Sequence, residues 1–429
     1  MTTGAGLRRE SLGRWEGTIA LRGDTAPIRL EILEEGGGPQ ALLDLPDLVL
    51  AREPAPLTVR EDGSIQVELP FGIGSIPLAL LNGRLAGFRP LGEDRISIEL
   101  RRDMSPKKIR RDLVLEPDGA VLRGTLVLPP GAGPHPAVVL LHGSDKPSRA
   151  DWSYRSWADA MADRGVAALA FDRRGSEPGS GTPPDLGDLA ADAAAWVERL
   201  RTEAGIRPDA VGLMGGSQAG WVAPLAASRS DSVAFLVLTS PPAVPPSEQE
   251  IQSTIGRARE EGVAEEGIRR LRSYLRLYFF VASTGHGWDL LRAEIERGAW
   301  SGLADAPERP EQLAWWKRNG DLDPATVLPS VHVPVLAAWG AGDIVVPADL
   351  NAARLEHLLR SGGNERVEAM ILERADHRLE LPMGNDAAGR WRWPRIAPAF
   401  LERLGPWITG VSGSTGAPGS PGGTGPEGS

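Results

Sequence analysis

Apolar and polar positions change rhythm along the 429-residue chain. From about residue 11 to 102 the period is two. Ile28-Arg29-Leu30-Glu31-Ile32, Ser64-Ile65-Gln66-Val67-Glu68-Leu69, Ser75-Ile76-Pro77-Leu78-Ala79-Leu80 and Ile96-Ser97-Ile98-Glu99-Leu100 each turn alternate side chains to one face. Glu35-Gly36-Gly37-Gly38-Pro39, Asp62-Gly63 and Asn82-Gly83 break the runs with residues that tolerate the positive φ of tight hairpins. About eight such runs predict a small antiparallel barrel or sandwich over residues 1–104. No cluster of titratable residues marks a catalytic site there, so this unit is expected to do no chemistry.

Beyond residue 105 the rhythm is different. After strands at 112–115 and 121–128, parted by Pro117-Asp118-Gly119, the runs at 136–141, 166–171, 210–214, 233–238, 335–339 and 367–372 are apolar but for Glu368 in the last. Helical patterns at 156–164 and 185–202 alternate with them. Strands apolar on both faces, alternating with helices, predict an α/β unit over 105–410 whose mostly parallel sheet is covered on both sides. Nearly a hundred residues part the runs at 233–238 and 335–339, far more than one crossover needs. Helical patterns at 249–261, 264–281, 288–298 and 310–319 fill this insertion, and Tyr274, Tyr278, Phe279, Phe280, Trp288, Trp300, Trp315 and Trp316 enrich it. Most of these rings must build the insert's own core. The functional expectation is a cap over 245–322, with one or two rings lining an apolar pocket. Residues 411–429, mostly Gly, Ser and Pro, read as a disordered tail.

Candidate chemistry gathers where strands end, which is where open parallel sheets bind ligands. Gly215-Gly216-Ser217-Gln218-Ala219 joins the run Val211-Gly212-Leu213-Met214 to a buried-helix pattern beginning at Gly220. A serine attacks a carbonyl only if its hydroxyl stands clear of the surface beside a base, as a sharp strand-to-helix turn allows. Such a turn admits only small residues two before and two after the serine, here Gly215 and Ala219. An ordinary Gly-rich turn would fit these five residues taken alone. The nucleophile also needs an imidazole base and a carboxylate to orient it. Gly340-Ala341-Gly342-Asp343 follows the run 335–339, and Glu373-Arg374-Ala375-Asp376-His377 follows 367–372. Serine, acid and histidine therefore arrive in the order known for parallel-sheet hydrolases, each beyond a strand.

Competing assignments are poorer. Asp376 starts from the Cα next to His377 and is badly placed to reach back to the ring. His286 falls in a polar loop, His332 at a strand entry, His357 on an amphipathic helix and His135 in a Pro/Gly loop. His142, in Leu141-His142-Gly143-Ser144, precedes the nucleophile and is expected to hold its own loop by hydrogen bonding. Backbone N–H groups of Ser144 and Gln218 are the expected oxyanion donors.

These pieces, with Phe171-Asp172-Arg173-Arg174-Gly175, make residues from about 109 to 407 resemble the α/β-hydrolase superfamily, in its dienelactone-hydrolase-like and serine-aminopeptidase-like groups. They also resemble bacterial carboxylesterases with an extra N-terminal β domain. Gly13-Arg14-Trp15-Glu16-Gly17 looks like the opening strand of a lipocalin-like barrel. The resemblance implies an α/β-hydrolase fold with a helical cap, and a triad of Ser217, Asp343 and His377. Asp172 and Arg173 would brace the oxyanion loop or the neighbouring turn, rather than act in proton transfer. Two positions depart from the pattern. Asp145-Lys146-Pro147 stands where relatives often continue with Gly-Pro, and Ala219 closes the elbow where Gly is usual.

Composition narrows the partners. The net charge is -10, and no basic cluster beyond Lys107-Lys108-Ile109-Arg110-Arg111 offsets it, which argues against a nucleic-acid partner. That cluster is expected at a domain junction. With no cysteine there is no disulfide, thiol nucleophile or cysteine-ligated metal. Neither a signal-length nor a membrane-length apolar segment stands out, so a cytoplasmic protein with no membrane partner is expected. The expected activity is hydrolysis of a small or medium carboxylic ester through an acyl-enzyme, with no cofactor or metal; a homo-oligomer stays open. A serine peptidase, an acyltransferase or cyclase, and a non-catalytic binding protein are the other readings. The peptidase would need an acid for a free amine, with Glu260, Glu261 and Glu265 as candidates.

Overall fold

The structure is a computed structural model, and it describes residues 9–35, 38–144, 148–175, 183–298, 300 and 302–413. Its N-terminal part is one antiparallel sheet: β1 (Gly13–Leu21), β2 (Asp24–Glu35), β3 (Gly38–Leu45), β4 (Leu50–Ala55), β5 (Leu57–Val59), β6 (Ile65–Leu69), β7 (Gly74–Leu81), β8 (Arg84–Leu91) and β9 (Asp94–Arg102). The order is β4-β3-β2-β1-β9-β8-β7-β6-β5, one strand more than the pattern suggests. Only Pro56 parts β4 from β5, and β3 lies near β5, so the sheet comes close to closing as a barrel. The period-two residues fill it: Trp15, Ile28, Leu30, Val67, Ile76 and Ile98 share one buried cluster. Trp393, from far along the chain, completes that cluster.

The second sheet contains β10 (Ile109–Leu115), β11 (Leu122–Leu128), β12 (His135–Leu141), β13 (Ala167–Phe171), β14 (Ile206–Gly216), β15 (Leu236–Thr239), β16 (Val335–Gly340) and β17 (Val367–Leu372). They run in the order β10-β11-β13-β12-β14-β15-β16-β17, and every pairing from β13 onward is parallel. His135 opens β12 instead of lying in a loop. Helices α1 (Trp152–Asp163), α2 (Leu186–Arg201) and α3 (Ala219–Ala227) follow β12, β13 and β14. Alternate residues of β12 settle which layer each face meets. Ala137, Val139 and Leu141 join the cluster that includes α2 and α3, while Val138 and Leu140 join the one that includes α1. Helix α1 starts four residues earlier than its apolar period indicates, because Asp151 caps it by accepting from Ser153 N–H at 3.0 Å.

Between β15 and β16 stand α4 (Pro246–Glu260), α5 (Glu265–Thr284), α6 (Trp288–Glu296) and α7 (Ala314–Asn319), with a core of their own around Leu271, Tyr274, Tyr278 and Phe279. Helix α8 (Ala348–Ser361) follows β16, and α9 (Pro398–Gly413) closes the sheet. Helix α9 continues through residues 411–413, so the expected tail boundary at 411 is too early; residues 414–429 lie outside the described residues. The reason is apolar burial, since Trp407 and Ile408 anchor this helix in the core and carry it past the first glycine.

The barrel is tied to α1 at many points. Ala51 N–H donates to Ser156 Oγ at 2.8 Å, Arg29 pairs with Asp163 at 2.9 Å, and Arg155 pairs with Glu53 of β4 at 3.1 Å; beside them Arg110 of β10 pairs with Asp159 at 2.7 Å. Lys108 reaches Asp159 at 3.1 Å and Asp163 at 2.8 Å, so part of the basic cluster grips α1 beside the barrel. No helix among the described residues is long and apolar enough to cross a membrane.

Candidate active site

At the end of β14 the chain turns into α3 through Ser217, whose φ of 54° lies in the left-handed region. For a residue with a Cβ this costs about 1–2 kcal/mol, so the turn must be held from outside. Ser217 N–H donates to the carbonyl of Thr239 at 3.0 Å, and its own carbonyl accepts from Gly220 N–H at 2.7 Å. The requirement for small flanking residues has a direct cause. A Cβ on Gly215 would sit 2.6 Å from Ala219 Cβ and 2.8 Å from Leu141 O.

Asp343 lies in the turn after β16, fully buried at its side chain. Its Oδ1 accepts from the N–H groups of Val345 and Val346, each at 2.8 Å. Its Oδ2 meets His377 Nδ1 at 2.8 Å. A carboxylate held by two backbone donors presents its second oxygen in a fixed direction, and so fixes the ring plane of His377. The backbone carbonyl of His377 is in turn bound by Ser240 Oγ at 3.0 Å. Asp376 faces elsewhere: its Oδ1 accepts from Arg378 N–H at 2.9 Å and Glu380 N–H at 2.8 Å, closing the loop that presents the histidine.

His142 is 5% exposed, and burial together with the nearby Arg173 guanidinium pushes its imidazole down to about 3. The ring is therefore neutral at pH 7. Its Nε2 lies 2.9 Å from the carbonyl of Phe171, which only a protonated Nε2 can satisfy. Arg173 Nη1 donates to Gly143 O at 2.8 Å and to Gln218 Oε1 at 3.4 Å, linking the β12 loop to the elbow. Asp172 Oδ1 accepts from Ser148 Oγ and Arg149 N–H, both at 2.9 Å, on the far side of that loop. The intervening Asp145-Lys146-Pro147, where the sequence departs from its relatives, lies outside the described residues.

Ser217 and Ser144 line two cavities. One, of about 440 Å³, also includes His377, Thr239, Tyr154 and two barrel residues, Leu48 and Val49. The other, of about 310 Å³, includes Gln218, Trp221, Glu250, Trp315 and Trp316. Thus Ser217, Ser144 and His377 share one cavity, Asp343 supports it from behind, and Gln218, just before α3, lines the second. Trp316 reaches a cavity, whereas Phe280 is 54% exposed on the surface.

Several residues here have little mark in the sequence. Tyr154 OH accepts from Gly143 N–H at 3.1 Å, leaving the next N–H, that of Ser144, for other partners; nothing near Tyr154 in the sequence singles it out. Leu48 and Val49 sit inside a run without clean alternation. Of the acids weighed for an amine site, Glu265 pairs with Arg259 at 3.1 Å, and Glu260 and Glu261 are exposed. Glu250, not among them, lines the cavity instead. Burial pushes its carboxyl up, against the pull of Thr254 Oγ1 at 2.9 Å and Arg257 at 3.3 Å.

Residues 138–401 match the model of the alpha/beta hydrolase family, well over half of the chain. The chain belongs to that family. The 2,6-dihydropseudooxynicotine hydrolase of Paenarthrobacter nicotinovorans is 32% identical over 121 residues, which are 27% of this chain and 30% of that protein. The match therefore spans under a third of that relative's length. The crystal structure of 2,6-dihydroxy-pseudo-oxynicotine hydrolase aligns at 21% identity and a TM-score of 0.42, over 64% of this chain and 63% of the other. An esterase of Pyrococcus furiosus aligns at 16% and 0.42, over 71% and 91%. A dienelactone hydrolase from Anabaena variabilis aligns at 18% and 0.40, over 71% and 98%. At such scores these structures add nothing to the family match.

Proposed function

We propose that this alpha/beta hydrolase is a serine esterase acting on small or medium carboxylic esters through an acyl-enzyme. The observation that carries the reading is the 2.8 Å link from Asp343 to His377 Nδ1, on a cavity that Ser217 enters from a left-handed turn. Ser217 Oγ bonds to the carbonyl carbon while its proton passes to His377 Nε2, and Asp343 stabilises the resulting imidazolium. The carbonyl π electrons move to oxygen, which the N–H groups of Gln218 and Ser144 receive; the first dipoles of α3 favour that charge. Collapse breaks the bond to the alcohol oxygen, which takes the proton from Nε2. Water then repeats the sequence on the acyl-enzyme. This chemistry calls for no metal or organic cofactor.

The ester reading is preferred to the peptidase reading because Glu250, the carboxylate in the second cavity, is already engaged by Arg257. An ammonium there would have to displace a guanidinium. The test is a phosphonate probe with tryptic mapping, run beside a panel of aryl esters and aminoacyl anilides. The adduct is expected on the peptide containing Ser217, with esters turned over faster than anilides. Ser217→Ala is expected to lower turnover on the order of a million-fold with the fold intact. An adduct on another serine, or faster anilide cleavage, would sink the reading.

A further inference from the structure

Ser217 opens onto two cavities, and they differ in a way that bears on which half of an ester each receives. His377 lines the 440 Å³ cavity that includes Leu48 and Val49. Among the described residues lining the 310 Å³ cavity under α4 and α7, His377 is absent. In ester hydrolysis the imidazole that takes the serine proton hands it to the departing alcohol oxygen, so the alcohol leaves on the imidazole side. The acyl arm extends the other way. We propose that Leu48 and Val49, carried by the N-terminal barrel, form the wall that sets the range of alcohol groups, while the cavity under α4 and α7 takes the acyl group. This assignment rests on the esterase reading.

The wall is held as a specificity element must be. Val49 is a β-branched residue at φ 50°, ψ 47°, where its N–H donates to Pro46 O at 3.1 Å. Side chains in that region persist only where their surroundings over-determine them. Here Val49 is buried in the cluster that includes α1, while Leu48 packs against the barrel core. Directly after them, Arg155 donates to Ala51 O at 3.4 Å and pairs with Glu53 at 3.1 Å, and Ser156 Oγ receives Ala51 N–H at 2.8 Å. Both partners belong to α1, the helix that supplies Tyr154 to the same cavity. The corner cannot swing without unfastening β4 from α1. A rigid apolar corner in the cavity that His377 lines selects by volume.

The test uses the full-length chain, Leu48→Trp and Leu48→Ala, and two ester series. In one, acetyl esters carry alcohols from methanol to a naphthol. In the other, p-nitrophenyl esters carry acyl chains of increasing length. Leu48→Trp is expected to lower kcat/KM for the bulkiest acetate relative to the smallest by about ten- to a hundredfold, and to leave the acyl-length ranking unchanged. Leu48→Ala, a change at a half-buried residue that the fold tolerates, is expected to raise the same ratio. Trp316→Ala should reverse the pattern, moving the acyl ranking alone. Leu48 variants that shift the acyl ranking, or that shift neither series while Ser217 still labels, overturn the assignment alone. Loss of ester turnover and of Ser217 labelling in the parent chain overturns the esterase reading and the assignment with it.

Discussion

Ser217 holds a positive φ that only glycine adopts without strain, and three predictions at the residue scale begin from that turn and its partners. Both Ser217→Ala and Ser217→Gly remove the hydroxyl, but only glycine also relieves the left-handed strain. Ser217→Gly is therefore expected to be more stable than Ser217→Ala by about 1 kcal/mol, read as a difference in urea midpoint, with both inactive. Asp343→Asn is expected to cut turnover about ten-thousandfold, since the amide stabilises the wrong tautomer of His377; substrate binding should barely move. Asp376→Asn should be mild, because an amide oxygen can accept the same two N–H groups. If Asp376→Asn were the damaging change, the acid would have to be reassigned. The third concerns acid stability. His142 has a folded-state value of about 3, below its unfolded value, so between that value and about 6.5 the unfolded chain binds more protons. Stability therefore falls as pH drops through that window, by up to about 1.4 kcal/mol per pH unit from this residue. His142→Gln, which keeps a donor for Phe171 O, should flatten that slope in urea titrations from pH 6 to pH 4. An unchanged slope would mean that His142 is not the buried neutral group described here.

At the scale of elements, the elbow's demand for small residues is a packing fact. A methyl on Gly215 meets Leu141 O and Leu141 Cβ as well as Ala219 Cβ. Gly215→Ala is expected to cost about 1–3 kcal/mol in melting experiments, and Ala219→Gly added to it should not restore the loss, since Leu141 remains. Full rescue would show that Ala219 is the sole obstacle. The inserted helices give a second contrast. Trp316 touches Phe279 at 4.8 Å and Trp315 at 4.9 Å between ring centres and also lines a cavity, so its loss should change both stability and acyl preference. Phe280→Ala should do neither, as that ring faces water. Periodicity placed the strands and helices within a few residues because each buried face repeats at its own spacing. The residues of the proposed triad stand out because they fall where those runs stop. What stays hidden are contacts made across distance: Tyr154 against the β12 loop, Glu250 in the cavity where Glu260, Glu261 and Glu265 are not, and which of eight insert aromatics faces a cavity. Helical spacing puts Phe280 and its buried neighbour Phe279 in the same apolar run, and only the packing of α5 separates them.

At the scale of the whole molecule, the alternation of the N-terminal barrel predicts a unit that folds apart from the chemistry. Two long-range insertions argue for closer union. Trp393, sixteen residues beyond His377, completes the barrel core, and Asp24 at the start of β2 fastens the segment around it. Asp24 Oδ1 meets Arg392 at 2.9 Å, Oδ2 accepts from Trp393 N–H at 2.9 Å, and Arg395 pairs with the same carboxylate. Burial works to raise this carboxyl, yet those three donors prevail and hold it below the ordinary aspartate range. In the other direction, Val49 leaves the barrel and enters the core beside α1. We therefore expect barrel and hydrolase sheet to unfold in a single transition, with tryptophan fluorescence and far-UV circular dichroism giving the same midpoint. Asp24→Ala removes the common partner of two arginines and is expected to lower the midpoint. Its two probes should still coincide at the lower midpoint. Deleting residues 1–104 is the harsher experiment. It takes away Leu48 and Val49 from the cavity wall and leaves Trp391 and Trp393 without the barrel interior, so the remaining chain is expected to aggregate or to label poorly at Ser217. Soluble truncated protein that takes up the probe at the parent's rate would restore the barrel to the independent module its alternating pattern suggests.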